Sequence, residues 1–326
     1  MSSTVFWSGL VLVSSLLVHR FRQRRLFVEL PKRNHEAFEG SLFQVDRSLV
    51  AYRPARNGSS QTVVAMHGWV EDHRYFTELY GPSDAELILI NSCDYHGPNI
   101  EQQRETPSWA QIPNYGLGSI EYDASILIQA VQNLATGSQL RLHGHSRGGA
   151  VVLESLKQNH DLLKKAEVIL EAAILPEAPV LPEVPIVSNV MSTVAPYILP
   201  LVGVMMSRVK IPSLAMSQFG PVTPRKTHLI QGLFNNPKYP QILEENIKSM
   251  QRWPLENSVD LYDLASHGAI LIGEKDTVLS VKKMLASARR NKGNLKVVET
   301  KGTSHFITLD APHYVPPLLH VATNKF

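Results

Sequence analysis

Residues 144–149 read Gly144-His145-Ser146-Arg147-Gly148-Gly149. A short apolar run, Leu140 to Leu142, precedes them, and a helical pattern from Ala150 to Lys157 follows. Strand, Gly-x-Ser-x-Gly and helix in that order predict a turn so tight that the serine takes a strained backbone conformation and stands clear of its neighbours. Gly144, Gly148 and Gly149 fill the positions where a side chain would strike the adjoining strand and helix. Alone, the pentapeptide is also compatible with an ordinary glycine-rich turn. Its reading depends on whether the chain supplies a base, an acid and oxyanion donors in a suitable order.

Working outward, strand and helix patterns alternate. Ser41 to Val45 and Leu49 to Tyr52 read as an opening antiparallel pair. Thr62–Met66, Glu86–Asn91, Gln139–His143, Glu167–Leu175, Ala269–Gly273 and Leu295–Glu299 are apolar runs of the uninterrupted kind found in a parallel sheet covered on both faces. Ser119 to Leu134, Tyr239 to Arg252 and Ser280 to Arg290 carry apolar residues at helical spacing. The alternation predicts an α/β fold with a mostly parallel, twisted sheet and right-handed crossovers.

Catalytic groups in such sheets collect at the carboxyl ends of strands. Four ends carry suggestive residues: His67-Gly68-Trp69, Ser146, Asp276 and His305. The order Ser, Asp, His differs from that of the two main serine protease families. Together with the Asp94-Tyr95-His96-Gly97 loop, the Gly273-Glu274-Lys275-Asp276 turn and Ser304-His305-Phe306, this pattern resembles the α/β-hydrolase superfamily over roughly residues 45–309.

The resemblance implies a serine hydrolase with Ser146 as nucleophile, His305 as general base and Asp276 as the acid that orients it. Glu171 and Glu177, near the preceding strand's end, are the alternative acids. The backbone N–H groups of Trp69 and Arg147 are the expected oxyanion donors. His67, His96, His143 and His145 read as structural or loop residues, and Cys93 as a buried structural thiol. The Arg147 position is variable in such turns, and its side chain need have no role.

Composition narrows the field. In 326 residues, 44% are hydrophobic, enough for one large core or a core plus a smaller cap. A net charge of +3 is too mild to suggest nucleic acid as a partner. One cysteine excludes an intramolecular disulfide framework, and no zinc-ligand spacing, P-loop or dinucleotide glycine signature is present. No metal or cofactor is expected.

Two stretches depart from the alternation. Thr4 to Val18 is fifteen residues without a charge, followed by His19, Arg20, Arg22, Arg24 and Arg25. Residues 1–25 therefore read as an N-terminal membrane anchor with its basic flank, and the positive-inside rule places the rest of the chain in the cytosol. The alternative is a soluble cytoplasmic protein whose apolar helix packs on its own domain. The second stretch holds nine of the 21 prolines between Pro176 and Pro224, and one charge, Glu183, between Ala178 and Ser207. Pro196, Pro200 and Pro212 argue against a transmembrane helix there. Residues 176–253 read as an apolar cap inserted into a core of residues 26–175 and 254–326.

The expected function is hydrolysis of a carboxylic ester or thioester through an acyl-enzyme, on an apolar acyl or lipid-like substrate. A catalytically inactive, membrane-tethered binding protein of the same fold is the alternative, and carbon–carbon hydrolase or perhydrolase activity would use the same three residues.

Overall fold

The computed structural model describes residues 3–32, 35–97, 101–180, 185–210 and 216–318, without the side chains of 3–6, 9–11, 185–193 and 218. Strands β1 (Ser41–Val45) and β2 (Ser48–Arg53) form the expected hairpin. They continue into β3 (Gln61–Met66), β4 (Glu86–Asn91), the two-residue β5 (Arg104–Glu105) and β6 (Gln139–His145). Strands β7 (Glu167–Glu171), β8 (His267–Gly273) and β9 (Leu295–Thr300) complete one sheet of order β5-β1-β2-β4-β3-β6-β7-β8-β9. From β4 through β9 every pairing is parallel, while β2 is antiparallel to both of its neighbours.

The central runs are apolar without interruption because both faces are covered. Val64, Met66, Ile88 and Ile90 point into one layer, against α3 (Ile120–Leu134) and α4 (Arg147–Gln158). Val63, Ala65, Leu87 and Leu89 alternate with them into the other layer, against Tyr75, Phe76 and Tyr80 of α2 (Arg74–Tyr80). Helix α3 starts where sequence chemistry directs it, with Ser119 accepting the Tyr122 N–H as N-cap. The short α5 (His160–Leu163) leads into β7.

Between β7 and β8 the chain leaves the sheet for a helical insertion: α6 (Pro185–Met206), α7 (Pro224–Gln231) and α8 (Ile242–Glu256). Helix α6 runs through Pro196 and Pro200, although each proline removes one helical hydrogen bond. Packing along α8 holds it, so the expectation that these prolines interrupt a helix fails. Glu183 and Pro212 lie outside the described residues. Helix α9 (Val281–Ala288) and the short α10 (Ile307–Asp310) follow β8 and β9.

The N-terminal run is a helix, α1 (Ser3–Leu26), but the expected span finds no support. Among the described residues, no helix is long and apolar enough to cross a membrane. The basic flank explains part of this. Arg22 is buried, pairs with Glu244 of α8 and lies 4.2 Å over the Tyr197 ring, which joins the end of α1 to the insertion.

Candidate active site

Ser146 sits between β6 and α4 with φ 52° and ψ −118°, a conformation L-residues rarely adopt. The turn is held by its own backbone. The Ser146 N–H donates to the Glu171 carbonyl, and the Ser146 carbonyl accepts from Gly149 and Ile174. A Cβ at Gly148 would come within 2.0 Å of the Met66 carbonyl oxygen, and one at Gly144 within 2.3 Å of the Gly148 oxygen. Both glycines are therefore obligatory.

At the end of β9, His305 points its Nδ1 at Asp276 Oδ2, 2.7 Å away. Asp276 follows β8 and accepts two further bonds, from the Val278 and Leu279 N–H groups. Burial alone would raise its pKa, but the His305 charge and these hydrogen bonds hold it below the usual carboxylate range. The His305 loop reaches the Ser146 turn through His145: its ring centroid is 4.9 Å from that of His305, and its Nε2 lies 3.0 Å from the His305 carbonyl.

The His67-Gly68-Trp69 turn closes the third side. A Cβ on Gly68 would lie 2.9 Å from Ser146 Cβ, so the two turns touch. Among the described residues, the Trp69 N–H has no acceptor, and Arg147, first in α4, has none within its helix. Val70, next in the turn, has φ 58°, a costly value for a β-branched residue. Its N–H donates to the Tyr95 hydroxyl and its carbonyl accepts from Asn236, which fixes the turn on both sides.

Solved structures with this architecture are numerous. An esterase from Exiguobacterium antarcticum superposes with TM-score 0.58 at 16% identity, over 84% of this chain and 96% of that one. A thermophilic esterase from Thermogutta terrifontis gives TM-score 0.54 at 18% identity, covering 88% and 94%. A bromoperoxidase from Bacillus anthracis gives 0.57 at 14%, covering 84% and 96%. The chain has the α/β-hydrolase fold. No protein-family model matches it, and no curated protein sequence does.

Within this hydrolase fold, Glu171 is placed for a different task from the one considered for it. Its buried carboxylate accepts from the Tyr75 hydroxyl (2.6 Å), His143 Nε2 (3.0 Å), the Thr308 N–H (2.6 Å) and the Thr308 hydroxyl (2.7 Å). Burial disfavours its charge, but these donors outweigh burial and push its pKa down to about 2. With four donors satisfied, it is committed away from His305. Glu177 is further removed, paired with Arg290 on the surface.

The other histidines are tied into the scaffold. His67 spans the Gly68 carbonyl and the Ser92 N–H, His96 meets the Leu30 carbonyl, and His143 bridges Tyr80 and Glu171. Cys93 is buried, and burial pushes its thiol pKa up. Among the described residues, no group of three or more His, Cys, Asp or Glu side chains is placed to hold a metal ion.

Two features escape the sequence reading. The Arg147 side chain, for which the sequence required no role, is buried against Asp123 of α3 at 2.6 Å and donates to the Gly118 carbonyl. His145 is the second. Its Nδ1 lies 2.8 Å from Glu71 Oε2, and the same oxygen accepts the Gly68 N–H at 2.9 Å. Neither partner is visible from sequence, since Glu71 and Asp123 are distant carboxylates without motif spacing.

Proposed function

We propose that the chain is a serine hydrolase that cleaves carboxylic esters or thioesters through an acyl-enzyme. The Asp276–His305 pair, with the His305 loop held against His145 next to the strained Ser146, is the observation that carries this reading. Ser146 Oγ attacks the acyl carbon while its proton passes to His305 Nε2. Asp276 keeps the Nδ1 proton in place and stabilises the imidazolium. The oxyanion is received by the N–H groups of Trp69 and Arg147, each worth about 3 kcal/mol of barrier. Collapse expels the alcohol or thiol, which takes the proton from Nε2. Water, deprotonated by the same nitrogen, then releases the acid and restores Ser146.

Residues 176–253 act as the lid in this reading. A Cβ at Gly220 would sit 2.8 Å from Ser304 Cβ, and the Phe219 and Phe306 rings are 6.0 Å apart, so the insertion covers the base loop. Its apolar composition favours an acyl or lipid-like substrate, and the N-terminal helix, meeting a membrane with the catalytic body on the cytosolic side, would bring the site to such substrates. A fluorophosphonate probe should label the protein, and Ser146→Ala should abolish labelling. Undiminished labelling of that variant would exclude Ser146 as nucleophile.

A further inference from the structure

Away from the site, the least ordinary surface belongs to α1. Trp7, Leu12, Val13, Leu16, Leu17 and Val18 are each 53–62% exposed. At helical spacing these positions run round the whole axis, so the helix is apolar on every side and lacks a single packed stripe. The insertion extends the patch: where Arg22 docks on Tyr197, α6 leaves Ile198, Val202 and Met205 open. An apolar surface of this extent marks an interaction site.

The patch ends in cations. Arg24, Arg25 and Arg208 border a pocket of about 290 Å³ walled by Phe21, Val28, Leu30 and Val204. Arg22 has its carboxylate in Glu244, but among the described residues no carboxylate pairs with Arg24, Arg25 or Arg208. Three guanidiniums with no carboxylate among the described residues, one of them (Arg25) over the Phe21 ring, border an apolar pocket and call for an anion that carries its own apolar body; guanidinium matches phosphate in geometry.

We infer that α1 and α6 together form an interfacial membrane-binding face, with the pocket between Arg24, Arg25 and Arg208 seating the phosphate of an anionic phospholipid. From Trp7 to Val18 the helix measures about 18 Å, close to the ~15 Å of hydrocarbon in one leaflet. The helix thus enters the facing leaflet and its arginines stay among the headgroups. This rests on the membrane reading of the N-terminal helix and is independent of the hydrolytic chemistry.

Flotation of the full chain with vesicles of phosphatidylcholine, with and without phosphatidylserine, tests it. Binding should be stronger on the anionic vesicles and weaken as salt is raised. Replacing the three arginines by Gln should lower partitioning onto anionic vesicles by about two orders of magnitude. Leu12→Asp with Leu16→Asp should abolish binding to both. Unchanged melting temperature and fluorophosphonate labelling would show the variants folded, and Ser146→Ala should float like the parent. Equal binding to both vesicle types, or no effect of the arginine replacements, overturns the headgroup site. Resistance to a carbonate wash overturns insertion into one leaflet. Failure to float on either vesicle defeats the membrane reading as well, while labelling at Ser146 would leave the hydrolase reading standing.

Discussion

The His145 imidazole lies between the Glu71 carboxylate and the His305 main-chain carbonyl, 2.8 and 3.0 Å from them. Both ring nitrogens face acceptors, so both carry protons and the ring is an imidazolium. Burial opposes that charge, but Glu71 outweighs burial and raises the pKa to about 9 from an ordinary 6.5. Since Glu71 also holds the Gly68 N–H, one ring clasps the Ser146 turn, the His305 loop and the His67-Gly68 turn together.

The clasp should be visible as a pH dependence of stability. A raised pKa means the fold favours the protonated form. Its stabilisation is complete below pH 6.5 and is lost as pH rises through about 9. The shift corresponds to about 3 kcal/mol across that window. Urea unfolding at a series of pH values should show this decline in the parent and a flattened slope in Glu71→Gln. Parallel slopes in the two proteins would mean the pair is not charged as described.

Asp276 and Glu171 can be told apart by which property each controls. Asp276→Asn should leave folding nearly intact and cut kcat by about 10⁴-fold, because His305 loses its tautomer. Glu171→Gln should instead destabilise by about 2 kcal/mol, as one of its acceptor oxygens becomes a donor facing donors. Per folded molecule, its kcat should stay within about tenfold of the parent, well short of the loss of an orienting acid. Because the Glu171 pKa is depressed to about 2 from 4.5, its contribution is present above pH 4.5 and fades as pH falls toward 2. Chevron or melting data together with ester kinetics decide this. A collapse of kcat in folded Glu171→Gln would reverse the assignment.

Arg147 and Asp123 are a buried pair at 2.6 Å, with side chains almost wholly inaccessible. Removing one partner strands a charge in the core. Asp123→Ala should therefore cost about 3–5 kcal/mol, while joint replacement by apolar residues should recover most of it. The change in denaturant midpoint is the measure. A cost below about 1 kcal/mol for the single variant would show the guanidinium reaching water.

What the chain discloses by reading follows from the range of each interaction. The central strands are legible because burial on both faces demands continuous apolar runs, and Thr62–Met66 and Glu86–Asn91 reappear almost unchanged as β3 and β4. The turn at Ser146 is legible because its glycines stand at fixed spacing around the serine: Gly144 is forced by Gly148, four residues on, although Gly148 itself is forced by the distant Met66 carbonyl. Glu71 and Asp123 are opaque for the opposite reason: their partners lie 74 and 24 residues off, and nothing local requires them. Helix α6 misleads because tertiary packing overrides the local cost of Pro196 and Pro200.

Lys226 of α7 ties the insertion to the loop that carries His305. Its ammonium pairs with buried Asp310 and donates to Ser304 Oγ at 3.2 Å, while Asp310 Oδ2 also accepts the Ser304 N–H. Ser146 and His305 are only 7% and 3% exposed. On the proposed reading, substrate entry needs the insertion to lift, and the Lys226–Asp310–Ser304 bonds are among those that would part. Weakening them should populate the open form, about tenfold for each 1.4 kcal/mol removed. Lys226→Gln should lower the melting temperature yet speed fluorophosphonate labelling by about tenfold, with the gain largest for bulky probes. Labelling that slows in step with the loss of stability would show that these bonds hold the His305 loop itself and do not govern entry.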